Sequence, residues 1–361
     1  MKIAIDVSSI ARRDKSGVAI SLTNLLDSLA AVDGENEYLI CYRFSRLKHW
    51  RSIYVPPAAN FHLRVIHEPF LFPRKAGVFH DGDARLPKCS RMPLTVTVYD
   101  LFSLLRGDLA TDEFRRKKCR RYQEIAARAA RVIACSENTK RDLVRELTIP
   151  ESRICVVYPC ISGRFAPQQP HEVEMVRQKY NLPKPYLLSV ASFSKRKNID
   201  RLLQAYGELR EAGRIESALV LTGSLEHWGD WRQAVEQHRL GGSIVLTGYV
   251  PDEDLPAIYS GARAFLFPSL YEGFGLPLLE AMRCGTPVLT SNVSSMPEVV
   301  GDAGLLVPPE DLQQIEERIA EIDADPALRE RLSQKGLRRA AEFSSEESAR
   351  KLIGVWREIA H

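Results

Sequence analysis

The sequence has no apolar run approaching the roughly 20 residues that a membrane-spanning helix needs. Its opening, MKIAIDVSSI, is too short and too quickly polar for a secretory signal. The seven cysteines, at positions 41, 89, 119, 135, 155, 160 and 284, are scattered and odd in number, with no CxxC and no Cys/His cluster. That pattern offers no zinc site and reads as reduced thiols in a cytosolic protein. Internal repeats and low-complexity segments are absent, and no GxGxxG follows an early strand, which argues against a dinucleotide-dependent dehydrogenase.

What is present is a chain of 361 residues, longer than one typical core supports, so two domains are expected. Hydrophobic content of 45% and charged content of 27% describe a soluble globular protein. The net charge of +4 is unevenly spread. Up to Pro170 there are 28 Lys and Arg against 18 Asp and Glu, a difference of +10, whereas the remainder has 22 against 28, or −6. A basic first half suits an anionic lipid surface or a phosphorylated acceptor. Nucleic acid ranks low, because no aromatic-basic recognition motif accompanies the charge.

The most informative stretch is 264–300, AFLFPSLYEGFGLPLLEAMRCGTPVLTSNVSSMPEVV. Residues 264–268 read as a buried strand that breaks into the turn Glu272, Gly273, Phe274, Gly275. Residues 276–282 then carry apolar side chains at helical spacing, with Pro277 suited to a first turn. Glycines let the backbone approach a ligand, and the N–H groups opening the helix favour an anion, so this is a phosphate-binding turn. Two carboxylates frame it. Glu280 suits a ribose diol, which offers it two donors, better than a phosphate, which would repel it.

The Glu, seven residues, Glu pattern of EGFGLPLLE, with FPS before it and AMRCGTPV after it, resembles the retaining glycosyltransferases of family 4. The resemblance implies a GT-B fold, an α/β protein of two Rossmann-like doubly wound domains facing a central cleft. It assigns the donor sugar to Glu272, the diphosphate to Gly273, Phe274, Gly275 and Leu276, and the ribose to Glu280. The family's R-K-N motif matches Arg196, Lys197 and Asn198, in a loop 192–198 at a strand's carboxyl end. Two cations there would neutralise a departing diphosphate. The nucleobase falls beside Gly248, Tyr249 and Val250, whose backbone groups would read its edge.

The first half matches less closely. After the strand 2–7, the loop KSGVA carries only Gly17 where family members often have two glycines near the donor phosphate or acceptor. His80 reads as a strand-end residue, resembling the His that precedes a turn and LP (here Leu86 and Pro87), and is expected at the acceptor. Where the family usually has His-Asp-Leu, this chain has Tyr99, Asp100 and Leu101. A phenol with a pKa near 10 does not replace the near-neutral proton exchange of imidazole, so the family role does not pass to Tyr99. Tyr99 is retained as an acceptor contact. Asp100 is expected to orient or deprotonate the acceptor hydroxyl, or else to cap the following turn. The helix 111–130 carries Arg115, Arg116, Lys117, Lys118, Arg120 and Arg121, a candidate contact for lipid phosphate or a solvated charged face. Residues 43–60 read as a surface excursion. Residues 132–143 resemble the family closely, Trp228 and Trp231 are expected to pack near the strand 218–222, and Trp356 is expected on the first domain.

The domains expected are 1–165 for the acceptor, 166–342 for the nucleotide sugar, and a last helix within 343–361 that crosses back. The expected function is retaining, metal-independent transfer of a sugar, with mannose from GDP-mannose preferred, to a hydroxyl of a polyprenol-linked or polysaccharide glycan. No cofactor is expected beyond the nucleotide sugar, because no DxD-like carboxylate pair stands at a strand end and Arg196 and Lys197 can balance the diphosphate. The site of action is expected to be cytoplasmic, at the inner membrane face. Two alternatives stand beside this reading: a non-catalytic sugar-nucleotide-binding protein, and a GT-B phosphorylase, for which no cofactor lysine is recognisable.

Overall fold

The computed structural model describes every residue except 13–15, 69, 89–91, 191–193, 224–227, 239 and 361, and no side chain of 228–232. The expectations for Ser192, for the packing of Trp228 and Trp231, and for Cys89 lie outside the described residues. The chain divides into two units, Met1–Ile161 with Phe343–His361, and Ser162–Glu342.

The first unit holds a seven-stranded sheet: β1 (Lys2–Asp6), β2 (Glu37–Arg43), β3 (Phe61–Ile66), β4 (Val78–Asp81), β5 (Leu94–Val98), β6 (Arg131–Ala134) and β7 (Ile154–Val156). Every pairing is parallel, in the order β3-β2-β1-β4-β5-β6-β7. Parallel strands need helical crossovers that cover both faces, so the strands read as continuous apolar runs. β1 shows the consequence. Ile3 and Ile5 pack with Leu22, Leu26 and Trp356, while Ala4, between them, faces Phe79, Val96 and Tyr122 on the other side. The helix Ser345–Ile359 belongs to this unit and is capped by Ser344, whose Oγ accepts from the Glu347 N–H. Its Trp356 is wholly buried and donates Nε1–H to Thr95 Oγ1 at 3.2 Å.

The second unit holds six parallel strands, β8 (Tyr186–Val190), β9 (Ala218–Thr222), β10 (Ile244–Gly248), β11 (Ala264–Phe267), β12 (Val288–Ser291) and β13 (Gly304–Val307). Their order is β10-β9-β8-β11-β12-β13. Leu187, Leu219, Leu266 and Leu289 from these strands pack with Leu202 and Tyr206 of the helix Ile199–Glu211 and with Ile315 and Ile319 of the helix Leu312–Ala324. In both sheets the order of strands reverses once, between β1 and β4 and between β8 and β11. At such a point neighbouring loops leave in opposite directions and open a crevice at the strands' carboxyl ends. No described helix is long and apolar enough to cross a membrane.

Candidate active site

The stretch singled out in the sequence sits on the reversal point of the second sheet. β11 ends at Phe267, and the turn that follows leads into the helix Leu276–Arg283 with Pro277 in its first turn. Gly275 opens that helix at φ 104°, a left-handed conformation that L side chains rarely adopt. Two serines that the sequence reading missed fix the turn. Ser294 Oγ accepts the Glu272 N–H at 3.0 Å, and Ser295 Oγ donates to the carbonyls of Glu272 and Phe274, each at 2.9 Å. Ser294 is itself held at φ 53°, which costs about 1–3 kcal/mol and so marks a constrained position.

Arg196 and Lys197 arrive from the loop after β8, the neighbouring strand. Glu272, only 7% exposed, accepts from Arg196 on Oε2 and from Lys197 Nζ on Oε1, the latter at 2.8 Å. Arg196 also donates to the Tyr271 carbonyl at 3.0 Å, and Lys197 lies 4.5 Å from the centre of the Phe267 ring. Burial alone would raise the Glu272 pKa, but the two cations outweigh it and hold the carboxyl at about 2. Asn198, at φ 57°, donates Nδ2–H to the Pro268 and Pro309 carbonyls at 3.0 and 2.7 Å, and so ties this loop to the one after β11.

Glu280, on the same helix, stands in a different environment. Burial pushes its carboxyl up to about 7, against the opposing hydrogen bond from Tyr259, whose phenol donates to Oε2 at 3.0 Å. Tyr259 is fully buried, with its own pKa raised first by burial and then by Glu280. Gly248 closes β10 at φ 72°, followed by exposed Tyr249 and buried Val250. β10 and β11 are three strand spacings apart, about 14 Å, a distance on the scale of a nucleoside diphosphate. Arg196, Lys197, Glu272, the Gly273–Leu276 turn and Glu280 therefore come together, with Gly248–Val250 at the far end of the same row of loops.

The first-unit residues are distributed differently. His80 is not at a strand end: it lies inside β4 with no exposed surface. Its ring nitrogens face Thr95 Oγ1 at 2.9 Å and Thr97 Oγ1 at 3.2 Å, and Trp356 packs edge-on at 5.3 Å. Burial drives its pKa down to about 3. A neutral imidazole closed in on this side has no surface to offer an acceptor, which corrects the expectation for His80. Tyr99 follows β5 and makes a phenol hydrogen bond with Ser21 of the helix Gly17–Val32. It lines a cavity of about 30 Å³ with Ser21, Thr97, Cys135, Tyr158 and Cys160. Asp100 is half-buried, and its carbonyl accepts from Tyr122 at 2.9 Å. Gly17 begins its helix with no left-handed backbone, and a Cβ there would meet nothing within 4 Å. Among the described residues of the first unit, nothing requires glycine at that position.

The six clustered cations of the helix Asp112–Arg128, from Arg115 to Arg121, do not share one face. Arg116, Lys117 and Arg120 are exposed, whereas Arg115, Lys118 and Arg121 are half-buried. Lys118 lies over the Phe114 and Tyr122 rings at 5.7 and 5.9 Å.

A second charged cluster, also missed in the sequence, occupies the reversal point of the first sheet. Arg43, at the end of β2, stands 2.8 Å from Asp6, 3.3 Å from Glu68 and 3.6 Å from Asp81. Asp6 and Asp81 are the last residues of β1 and β4. Burial first, and then Asp6, pushes the Asp81 carboxyl above the ordinary range.

Comparison with known proteins fits this architecture. The family model for glycosyl transferases group 1 matches residues 172–339, and that for glycosyltransferase family 4 matches residues 16–162. The O-antigen chain mannosyltransferase B of Escherichia coli is 37% identical over 289 residues, covering 78% of this chain and 74% of that protein. The serotype-specific mannosyltransferase WbdA of E. coli is 32% identical over 68% of this chain, which spans 31% of that longer protein. Among solved structures, sucrose-phosphate synthase from Thermosynechococcus elongatus superposes with a TM-score of 0.78 at 22% identity, covering 99% of this chain and 98% of that one. The fold is GT-B. The chain belongs to glycosyltransferase family 4 and is a glycosyltransferase.

Proposed function

We propose that this enzyme transfers mannose from GDP-mannose, with retention and without a metal ion, to a hydroxyl of a lipid-linked or polysaccharide glycan. The observation that carries the reading is the Glu272, Arg196, Lys197 cluster at the reversal point of the second sheet. Two cations converge on one carboxylate beside a helix N-terminus, where an anion is favoured. A diphosphate would compete with Glu272 for Arg196 and Lys197, freeing that carboxylate to accept from donor-sugar hydroxyls. Glu280, ionised, would take the ribose diol, and the backbone of Tyr249 and Val250 the base. In the transfer step the bond from the anomeric carbon to the diphosphate oxygen breaks. A bond to the acceptor oxygen forms on the same face, and the acceptor's proton passes to the departing phosphate. Arg196 and Lys197 stabilise the charge that develops on that phosphate. The names of the two E. coli relatives support mannose and an O-antigen type of glycan. Exposed Arg116, Lys117 and Arg120 support a membrane contact on the cytoplasmic side.

The test is nucleoside diphosphate release from a panel of GDP- and UDP-sugars, with and without membrane lipid extract, for the wild type and Glu272→Ala. Release from GDP-mannose alone, raised by the extract and lost in the variant, is the expected result. Release from another donor replaces the sugar. Binding without release from any donor points to the non-catalytic reading, which Tyr99 in place of the family's His favours.

A further inference from the structure

Glu272 is held at both ends of its own backbone. Ser294 Oγ accepts its N–H at 3.0 Å, and Ser295 Oγ donates to its carbonyl at 2.9 Å. The same Ser295 hydroxyl reaches the Phe274 carbonyl at 2.9 Å, so one proton is shared between carbonyls two residues apart. Both peptides are trans, and in a trans peptide the carbonyl opposes the N–H of the following residue. Ser295 therefore turns the Gly275 N–H away from itself, at the residue that opens the helix Leu276–Arg283.

The two serines are kept differently. Ser295 has no exposed surface, whereas Ser294 is half-buried at φ 53°, where glycine would sit without steric cost. What the Ser294 side chain contributes in return is its bond to the Glu272 N–H. The short helix Met296–Val300 follows directly, with Met296, Val299 and Val300 wholly buried. Arg339, on the helix Pro326–Ala341, donates to the Glu298 carbonyl and, from Nε at 3.1 Å, to the Val299 carbonyl at the far end of that short helix. Ser333 of the same long helix donates to the Gly285 carbonyl at 2.6 Å, just past the helix Leu276–Arg283. One helix thus anchors both the segment that leaves the turn and the segment that follows the serines.

We propose that Ser294 and Ser295 are positioning residues for the transfer reaction, with separate tasks. Ser294 aims the Glu272 carboxylate by fixing its N–H, and Ser295 sets both Glu272 and the Gly275 N–H. The inference rests on the reading of this turn as the site of donor sugar and diphosphate. A backbone held at N–H and carbonyl leaves Glu272 only its side-chain torsions. When a diphosphate takes Arg196 and Lys197, the carboxylate then stays in reach of the sugar hydroxyls. Loss of Ser294 leaves the Phe274 carbonyl tied, so it disturbs the sugar contact and not the anion contact. Loss of Ser295 disturbs both.

The experiment compares the wild type, Ser294→Gly, Ser295→Ala, Ser295→Cys, Glu272→Ala and Ser294→Gly/Glu272→Ala. GDP binding by calorimetry, GDP release from GDP-mannose and the thermal midpoint are measured, with UDP and UDP-glucose in parallel. Ser294→Gly should lower kcat about tenfold at unchanged GDP affinity, with the thermal midpoint held or raised because glycine relieves the left-handed backbone. Ser295→Ala should lower kcat and GDP affinity about tenfold each, and Ser295→Cys, a weaker donor of similar shape, should fall between. In the Glu272→Ala background, Ser294→Gly should cost about twofold or less, because it acts through that carboxylate. Equal loss of GDP affinity in Ser294→Gly and Ser295→Ala, losses that follow the thermal midpoint, unchanged kcat in Ser294→Gly, or full additivity with Glu272→Ala overturns the proposal. A wild type that binds neither GDP nor UDP overturns the donor-site reading and this inference with it. A wild type that turns over while the serine variants match it overturns this inference alone.

Discussion

The two sheets place charged clusters at the same topological point and balance them in opposite ways. In the first unit one guanidinium, Arg43, faces three carboxylates, Asp6, Glu68 and Asp81, a formal charge of −2. In the second, one carboxylate, Glu272, faces two cations, Arg196 and Lys197, a formal charge of +1. In the first cluster burial, and then Asp6, raises the Asp81 pKa, so the acid excess is relieved by protonation. The second holds Glu272 ionised between two cations, which outweigh its burial. One crevice sets a lone cation among acids, the other a lone acid among cations, and it is the second that we propose receives the diphosphate.

The largest expected effect lies in the closed cluster. Arg43→Ala leaves three carboxylates without their shared cation and should lower unfolding free energy by about 3–5 kcal/mol, the usual result of breaking one side of a buried ion pair. Denaturant unfolding reads this directly, and adding Asp81→Asn should restore part of it. A loss well under 1 kcal/mol would mean that the three acids are not coupled through Arg43.

Glu272→Ala sharpens the other side. Turnover should fall by roughly 10- to 100-fold, the loss of about 1.5–3 kcal/mol for hydrogen bonds to a charged group. Nucleoside diphosphate affinity should hold or tighten, because two cations are released to the ligand. Parallel loss of affinity and turnover, measured by calorimetry and product release, would show instead that Glu272 organises the anion site.

Acid and base titrations should separate the clusters by sign. The Glu272 pKa is depressed from 4.5 to about 2, so its contribution of about 3 kcal/mol is fully present above pH 4.5 and is lost as pH falls toward 2. The Asp81 pKa is raised, so the folded state binds more protons, and its contribution is present below 3.8 and lost as pH rises through the elevated value. Unfolding free energy against pH should lose the acid-side drop in Glu272→Gln and the rise-side loss in Asp81→Asn. Glu280, raised to about 7, should make nucleotide affinity climb between pH 6 and 8, as its ionised form takes the ribose hydroxyls, and Glu280→Gln should flatten that slope.

The smallest effect is expected from Tyr259→Phe, which removes one buried hydrogen bond to Glu280, about 1 kcal/mol. GDP binding should weaken several-fold and the pH midpoint should move up, while a 2′,3′-dideoxy nucleotide should bind as before. Equal weakening of both ligands would make Tyr259 a packing residue only.

The strand, turn and helix of the EGFGLPLLE region were legible because their signals are contiguous: an apolar run, glycines, a proline in the first helical turn and helical spacing. The basic helix was legible in extent but not in face, since three of the six cations clustered from Arg115 to Arg121 are half-buried against the unit. His80 was misplaced because one residue of strand length separates a loop mouth from a core. Both faces of a parallel strand are covered, so polarity alone does not mark the end. The excursion at 43–60 read as loop because Pro and charge dominate it, and it folds in part as the 3-10 segment Phe44–Ser52, too short for a periodic signal.

The sequence by itself determined the family, the two-domain α/β class and the Gly-rich turn between strand and helix, because each rests on residues adjacent in the chain. Only the tertiary structure decided what those residues meet. It set Lys197 against Glu272, 75 residues away, by making β8 and β11 neighbours at the sheet's reversal. It pinned the turn with Ser294 and Ser295, and enclosed His80 beneath Trp356. Strand order and register fix which distant charges share a site, and no local pattern carries that information.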